Sequence, residues 1–148
     1  MKISTRGRYG LRILIDLANQ DNSKPRLIRD ISQAQQISEK YISRLVIDLR
    51  RAGLIRSVRG VNGGFHLAKK PEDITLLEVI EVMEGPVSVV ECVNTTQKCN
   101  RNSRCGVRAI WKTLNDNIRC IMQEITLDEI LKACHDQSEN GSFPDYCI

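Results

Sequence analysis

The sequence lacks long apolar runs and a recognisable secretory leader. No stretch approaches the roughly 18 consecutive apolar residues that a membrane-spanning helix needs. The opening segment, MKISTRGRYG, has no apolar core of the kind that a signal peptide requires. We therefore expect a cytoplasmic protein with no membrane partner, in a compartment where stable disulfides are rare.

The sequence also lacks the short motifs on which common enzyme classes depend. It has no C-x-x-C pair, no H-E-x-x-H motif, no phosphate-binding glycine loop and no Ser, His and Asp constellation. The glycine-rich stretch RGVNGG precedes a predicted strand rather than a helix, so it is not a dinucleotide-binding turn. The sequence therefore predicts a protein that is not an enzyme.

Charged residues are common in the sequence, but basic and acidic residues are unevenly distributed along it. The 148 residues are 41% hydrophobic and 27% charged, which is ordinary for a globular protein. Residues 1–70 carry 15 basic against 5 acidic side chains, a net charge of +10, whereas residues 71–148 carry 7 against 13, a net charge of −6. A basic half joined to an acidic half favours a nucleic-acid-binding module linked to a sensing or assembly module. A merely solvated basic face is the alternative.

The basic half predicts a pair of helices typical of a helix-turn-helix, after a first amphipathic helix. That first helix, TRGRYGLRILIDLANQ, has Thr5 as its expected N-cap. The segment ISEKYISRLVIDLRRAGL begins at the N-cap Ser38 and ends at Gly53. Its apolar face carries Ile42, Leu45, Val46 and Leu49. Its opposite face carries Lys40, Arg44, Ile47 and Arg51, with Tyr41 and Ser43 on the flanks.

Two β-type runs follow that helix and predict a hairpin. They span residues 55–59 and 65–68, and Asn62-Gly63 between them suits a type I′ turn. A basic hairpin directly after a recognition helix indicates a wing. The fold class is therefore expected to be mostly α with a small β-hairpin, a winged helix-turn-helix that binds double-stranded DNA. The predicted contacts are Ser38, Lys40, Tyr41, Ser43 and Arg44 in the major groove and Arg59 in the minor groove.

The acidic half predicts a helix, a polar loop and a long amphipathic helix. Capping boxes at Thr75 and Thr126 start the helices on either side of the long one. The long helix runs from Cys105 to Ile125, and its apolar stripe is longer than the wing domain needs for its own core. We expect this stripe to form a two-fold homodimer; packing on its own domain alone is the alternative. The predicted interface residues are Trp111, Leu114, Ile118 and Ile121.

These features divide the chain into four expected parts. Residues 1–84 form the DNA-binding domain, and residues 85–105 form a cysteine-containing loop. Residues 106–134 form the dimerisation helix and a short last helix. Residues 135–148 are expected to be a disordered tail.

The loop holds three cysteines in a polar segment, ECVNTTQKCNRNSRCGVRAIW. Cys92, Cys99 and Cys105 follow the pattern C-x6-C-x5-C. Thiolates are preferred ligands of iron–sulfur clusters and of zinc, but structural zinc sites usually space two ligands two to four residues apart. An iron–sulfur cluster is therefore the favoured interpretation. A thiol–disulfide switch and a zinc site stay open as alternatives.

Several segments together resemble the Rrf2 family of winged-helix regulators. They are MKISTRGRYGLR, SVRGVNGGFHLAK, the three-cysteine loop and CGVRAIW followed by ITLDEIL, which together span about residues 1–134. The chain is most similar to the iron–sulfur-sensing IscR-like branch. This resemblance implies a homodimeric transcription factor, a repressor, with a cluster on Cys92, Cys99 and Cys105, of the 2Fe–2S rather than the 4Fe–4S type. The opening segment also resembles the CymR-like branch, which controls cysteine metabolism and generally lacks the loop.

The chain departs from the IscR-like pattern at three positions. Arg108 stands where that branch commonly carries a histidine ligand, and a guanidinium cannot ligate iron. Arg8 stands where some relatives carry an acidic ligand, and Ser43 where the branch can carry a glutamate that tunes DNA choice. The fourth cluster ligand is thus unidentified. The candidates are Glu91, Cys120, Cys134, His135, a thiol from solution or an open iron site.

Three side chains carry separate expectations. Cys120 is predicted to be a packed thiol beside the apolar stripe. His66 is expected to face solvent or phosphate on the wing. Trp111, the single tryptophan, is expected to be buried near the cysteine loop.

Overall fold

The protein is mostly helical, with a short antiparallel hairpin. The computed structural model describes residues 2–20, 24–60, 63–94 and 104–139. In chain order these residues form α1 (Thr5–Ala18), α2 (Ile28–Gln35), α3 (Glu39–Arg51), β1 (Ile55–Val58), β2 (Gly64–Leu67), a 3-10 turn (Pro71–Asp73), α4 (Leu76–Glu84), α5 (Glu91–Asn94), α6 (Arg108–Glu124) and α7 (Leu127–Glu139). The predicted fold class is confirmed.

Helix α1 begins one residue earlier than the sequence predicts. The N-cap is Ser4, whose Oγ accepts a hydrogen bond from the backbone N–H of Arg6 at 3.1 Å, and Thr5 is the first helical residue. Either hydroxyl can accept that bond, so the sequence pattern alone does not fix the position. The predicted apolar face is correct, since Ile13, Leu14 and Leu17 are buried.

The ends of α3 are as predicted. The Oγ of Ser38 caps the helix by accepting a hydrogen bond from the Tyr41 N–H at 3.4 Å. Gly53 follows the helix with a φ of +72°, the left-handed conformation that glycine adopts without strain. All four residues of the predicted inner face are buried, namely Ile42, Leu45, Val46 and Leu49. The opposite face is therefore left for solvent or a ligand.

The hairpin pairs β1 with β2 in an antiparallel register that sets Ile55 opposite Leu67 and Val58 opposite Gly64. A third segment joins the other edge of β2, where Arg26 and Phe65 exchange two backbone hydrogen bonds of 2.9 Å. The predicted turn residue Asn62 lies outside the described residues. Because the hairpin is anchored to both α3 and the Arg26 segment, the wing has a fixed position beside α3.

The larger of two apolar clusters joins α1, α2 and α3 to the hairpin, α4 and α7. Its fully buried members come from α1, α2 and α3 and from the residues just before β1 and α4: Ile13, Leu14, Ile31, Ile42, Leu49, Leu54 and Ile74. Helices α1 and α4 approach closely at Gly10, where an added Cβ would lie 2.7 Å from Met83 Cγ and Sδ. The absence of a side chain at Gly10 lets Met83 pack directly against the backbone of α1.

A second, smaller cluster joins α4 to α6. It consists of Leu77, Ile80, Val87 and Met122, with Ile118 packed against it. The start of α4 and the start of α7 are also tied together. The Leu76 N–H donates to the Ile125 carbonyl, and the Leu127 N–H to the Ile74 carbonyl, both at 2.8 Å. Helix α6 is thus fixed to the domain along one side.

The ends of α6 and α7 differ from prediction. Helix α6 starts at Arg108 rather than Cys105, and α7 continues to Glu139, into the segment for which disorder is expected. The capping box of α7 is confirmed in both directions, because Glu129 N–H donates to Thr126 Oγ1 and Thr126 N–H donates to Glu129 Oε2. None of the described helices is both long and apolar enough to cross a membrane.

Candidate nucleic-acid interface and cysteine site

The outward side of α3 is an exposed basic surface. Lys40, Arg44 and Arg51 are exposed along it, together with Ile47. Successive members lie three or four residues apart, a spacing that places side chains on one helical face. We call these four residues the outer row of α3. Its cations can contact phosphates along a nucleic-acid groove.

Asp48, an acidic residue on the same helix, forms ion pairs with two arginines. Asp48 Oδ2 accepts a hydrogen bond from Arg6 Nη2 at 2.6 Å, and Asp48 Oδ1 lies 4.0 Å from Arg51 Nη1. Both arginines are well exposed, so these pairs contribute little stability. They do offset the negative charge of Asp48 and attach the start of α1 to α3.

The polar residues predicted to contact DNA on α3 divide into two groups. Lys40 and Arg44 point outward, as predicted. Ser38 caps the helix, and the Ser43 hydroxyl donates to the Glu39 carbonyl at 2.7 Å. Tyr41 is half-buried and packs edge-on against Tyr9, with ring centroids 5.8 Å apart. These three side chains therefore have partners within their own chain.

The hairpin presents a second basic surface. Arg56 and Arg59 are exposed, and Arg59 directly follows β1. The expectation that His66 faces solvent is wrong, since its side chain is buried. Strand β2 lies between β1 and the Arg26 segment and is also in contact with α1, so it is more covered than a free hairpin strand. Of the hairpin residues singled out from the sequence, Arg59 keeps its predicted exposure.

Two of the three loop cysteines lie within the described residues, one before residue 95 and one after residue 103. Cys92 lies in α5 and Cys105 lies just before α6; both are free thiols and half-buried. Cys99 lies outside the described residues. Arg108 connects the two flanks, because its Nε donates to the Cys92 carbonyl at 3.3 Å while its backbone N–H donates to the Cys105 carbonyl at 3.2 Å.

A cavity of about 370 Å³ opens between α5 and α6 at this point. It is lined by Val93, Cys105, Arg108, Ala109 and Lys112. The two cations favour an anionic occupant, and Cys105 brings a thiol to the wall. Arg108 thus contacts the backbone of this site, although its guanidinium cannot ligate a metal.

The other candidate ligands in the chain are Glu91, Cys120, Cys134 and His135. Within the described residues, no group of three or more His, Cys, Asp and Glu side chains is arranged to hold a metal ion. His135 bonds instead to Asn19 Oδ1 at 3.1 Å. The expectation that Cys120 is a packed thiol is wrong, since Cys120 is exposed on the outward side of α6.

The pKa of the Cys120 thiol is raised above its ordinary value. Its Sγ donates a hydrogen bond to Glu124 Oε1 at 3.5 Å, and the carboxylate charge further opposes a thiolate. A metal ligand must be the thiolate. The surroundings of Cys120 therefore do not favour a ligand role.

The apolar stripe of α6 divides between two sides of the helix. Ile118 and Met122 pack on the second cluster of their own chain. The other side stays exposed and consists of Val107, Ile110, Trp111, Leu114 and Ile121, which we call the open apolar face of α6. The expected burial of Trp111 is wrong, since 37% of it is accessible. Its helix turns it away from the second cluster.

A buried amide, which the sequence reasoning missed, fixes α6 to the segment before the loop. Asn115 is 2% exposed, and its Oδ1 accepts a hydrogen bond from the Val89 N–H at 3.1 Å. Nearby, Arg119 pairs with Glu81, whose Oε1 also accepts from the Val87 N–H at 3.2 Å. Position 115 lies four residues after Trp111 and three before Ile118, so its place beside the apolar stripe was the available signal.

Replacing Asn115 with Ala is expected to destabilise the protein by about 1–3 kcal/mol, because the buried Val89 N–H loses its acceptor. Chemical denaturation measures this difference. Asn117→Ala is the matched control, since Asn117 is exposed on the same helix and should change stability by less than about 0.5 kcal/mol. Equal effects of the two changes would contradict the assigned role of Asn115.

Comparison with known proteins agrees with this arrangement. The chain matches the family model for Rrf2, described as an iron-dependent transcriptional regulator, over residues 3–133. The chain belongs to the Rrf2 family of transcriptional regulators.

Three named proteins illustrate what this chain is similar to. The regulator CymR of Bacillus subtilis is 36% identical over 143 residues, covering 97% of this chain and 99% of that protein. The regulator IscR of Vibrio atlanticus is 34% identical over 132 residues, covering 89% and 76%. Protein rrf2 of Nitratidesulfovibrio vulgaris is 43% identical over 111 residues, covering 75% and 74%.

Solved structures of a CymR and of an IscR share the fold. CymR of B. subtilis, described as the global cysteine regulator of that organism, gives a TM-score of 0.74 at 36% identity, covering 90% of this chain and 98% of that one. IscR of T. potens gives 0.72 at 31% identity, covering 97% and 93%. The winged-helix fold predicted from the sequence is confirmed.

Proposed function

We propose that this Rrf2 regulator is a homodimeric DNA-binding repressor whose operator binding depends on an iron–sulfur cluster. The cluster would be held by Cys92, Cys99 and Cys105, and a 2Fe–2S type is favoured. The observation that carries the proposal is the position of the cysteine segment. It lies in the chain between α4, the last helix of the DNA-binding domain, and α6, which presents the open apolar face.

DNA binding is supported by the two exposed basic surfaces. The outer row of α3 fits the major groove, where a recognition helix contacts base edges and phosphates. Arg59 follows β1 on the hairpin and suits the negative potential of a narrow minor groove. The fixed anchoring of the hairpin beside α3 keeps both surfaces on one molecule in constant relation.

Replacing Arg59 with Ala is expected to weaken operator binding by about 1–3 kcal/mol, because a specific groove contact is lost. The measurement is a gel-shift titration at fixed salt on a duplex that the wild-type protein selects from a random library. Lys132→Ala is the matched control, since it removes one exposed charge on α7. An Arg59→Ala protein that binds as tightly as the control would rule out the wing contact.

A homodimer is supported by the open apolar face. Ile110 and Ile121 are each more than half exposed, and Leu114 lies between them. A surface of this kind on one helix is typical of a subunit contact, and most assemblies of identical chains are two-fold dimers. If the open apolar faces of α6 from two chains packed against each other, each face would be buried by the other.

Cluster binding is supported by the chemistry of the described thiols. Cys92 and Cys105 are free and half-buried, and thiolates are the usual ligands of iron–sulfur clusters. The proposed ligand set also requires Cys99. Metal–thiolate bonds from Cys92 and Cys105 would tie α5 to the start of α6, because binding free energy at such a site also stabilises the surrounding fold. The fourth ligand is not assigned, and Arg108 is not one.

A second candidate is a thiol switch without a cluster, in the manner of a regulator of cysteine metabolism. It is favoured by the similarity to CymR over 97% of this chain and by the free thiols of Cys92 and Cys105. Oxidation to a disulfide would then replace metal binding as the signal.

Anaerobic reconstitution distinguishes the two candidates. The protein is incubated with iron and sulfide, and its visible absorption and binding to the selected duplex are measured with and without reconstitution. Cluster absorption together with a change in DNA affinity supports the cluster. A colourless protein whose DNA affinity changes on thiol oxidation supports the switch.

A further inference from the structure

We propose that Ile47 reads the C5-methyl group of a thymine in the major groove and thereby sets part of the operator sequence. This inference rests on the proposed DNA binding through α3. It goes further by assigning a sequence preference to one side chain, whose chemistry differs from that of its neighbours.

Among the aliphatic residues of α3, which are all described, Ile47 alone is exposed. The helix buries Ile42, Leu45, Val46 and Leu49, whereas Ile47 is 41% exposed. A single exposed apolar side chain is ordinary and by itself indicates nothing. What distinguishes Ile47 is its place in the outer row, with Arg44 three residues before it and Arg51 four residues after it.

The surrounding charges identify the occupant of this surface. Lys40, Arg44 and Arg51 are all exposed on the same row. Asp48, the chain neighbour of Ile47, is already paired with Arg6. A row with cations on both sides of one apolar residue fits a polyanion that offers an apolar group at the centre of a groove. It does not fit the continuous apolar surface of a protein partner.

The other short side chain beside the row is occupied. The Ser43 hydroxyl donates to the Glu39 carbonyl at 2.7 Å, so its proton is used within the helix. Long cations such as Lys40 and Arg44 can reach phosphates, whereas Ile47 is short and cannot hydrogen-bond. On the major-groove edge of DNA the apolar group is the thymine methyl, and apolar side chains contact it. The branched side chain of Ile47 is also stiff at χ1, which favours a fixed contact.

The test uses a duplex that the wild-type protein selects from a random library, with each thymine replaced in turn by deoxyuridine. Deoxyuridine pairs as thymine does but lacks the methyl group. We expect each half-site to contain one thymine that is sensitive to this replacement. Replacing that thymine in one half-site should weaken wild-type binding about three- to five-fold, the change in affinity that corresponds to the burial of one methyl group. Replacement in both half-sites is expected to weaken it roughly tenfold or more.

Two variants assign the effect to Ile47. Ile47→Ala is expected to bind the thymine duplex more weakly and to lose the difference between thymine and deoxyuridine. Ile47→Val, which keeps the branched carbon, is expected to retain part of that difference. Arg44→Ala is the matched control, since loss of a phosphate contact should weaken binding to both duplexes alike. Circular dichroism checks that each variant is folded.

The inference is overturned if wild-type binding is insensitive to every deoxyuridine replacement, or if Ile47→Ala retains the full sensitivity. In either case specific binding to the selected duplex persists, so the proposed function stands. Failure of the wild-type protein to select any sequence over random DNA would instead remove the proposed function, and this inference with it.

Discussion

Replacing Cys92, Cys99 and Cys105 together with Ala is expected to abolish the visible absorption of the anaerobically reconstituted protein. The reason is that thiolates are the ligands that hold such clusters, and removal of all three leaves no thiolate in the segment. Operator affinity of this variant should equal that of the wild-type protein without a cluster. Absorption spectroscopy and gel-shift titration measure the two effects on the same preparation.

The control for this result is removal of thiols elsewhere. Cys120→Ala and Cys147→Ala should both retain the full absorption. The carboxylate of Glu124 raises the pKa of the Cys120 thiol by accepting its hydrogen bond, which disfavours the thiolate that a metal would need. A triple variant with an unchanged spectrum, or one that binds DNA as the reconstituted wild-type protein does, would show that the loop cysteines are not the switch.

Replacing Leu114 with Asp is expected to convert the protein from a dimer to a monomer. Leu114 lies in the open apolar face of α6 and is 42% exposed within one chain. A carboxylate there would be buried without a partner in each copy of a two-fold interface, which should raise the dimer dissociation constant by roughly 100-fold or more. Analytical ultracentrifugation at micromolar concentration measures the change, and binding to a palindromic duplex should weaken with it.

The choice of Leu114 over Ile118 follows from the structure. Ile118 packs on the second cluster of its own chain, so a charge at that position would also destabilise the single chain. Thr113→Asp is the matched control, because Thr113 is exposed on another side of α6. A wild-type protein that sediments as a monomer would refute the dimer. A Leu114→Asp protein that stays dimeric would place the interface elsewhere.

Local sequence patterns were sufficient for α3 and for the start of α7. The cap residue Ser38 and the closing residue Gly53 bracket α3, and the apolar face between them is buried as predicted. The capping box of Thr126 with Glu129 is formed. These features depend on side chains within a few residues of the backbone groups that they satisfy, so the sequence contains all the necessary information.

The candidate site was predicted less completely. The positions of the cysteines and the exposure of Lys40, Arg44 and Arg59 could be derived from the sequence, since each depends on a local pattern. The contact of Arg108 with the Cys92 carbonyl could not, because it joins residues on opposite sides of the loop. The helix spacing that predicts an exposed face does not say which residues across a loop approach it.

By itself the sequence determined the order of the longer helices and the hairpin, the caps at Ser38 and Thr126, and the separation of a basic half from an acidic half. The tertiary structure decided which side of each element is covered. The stripe of α6 reads as one face in the sequence, yet Ile118 and Met122 pack inward while Ile110 and Leu114 stay open. His66, read as exposed, is buried. The periodicity of a sequence shows which residues share a face, but burial depends on the elements packed against it, and those are brought together by contacts distant along the chain.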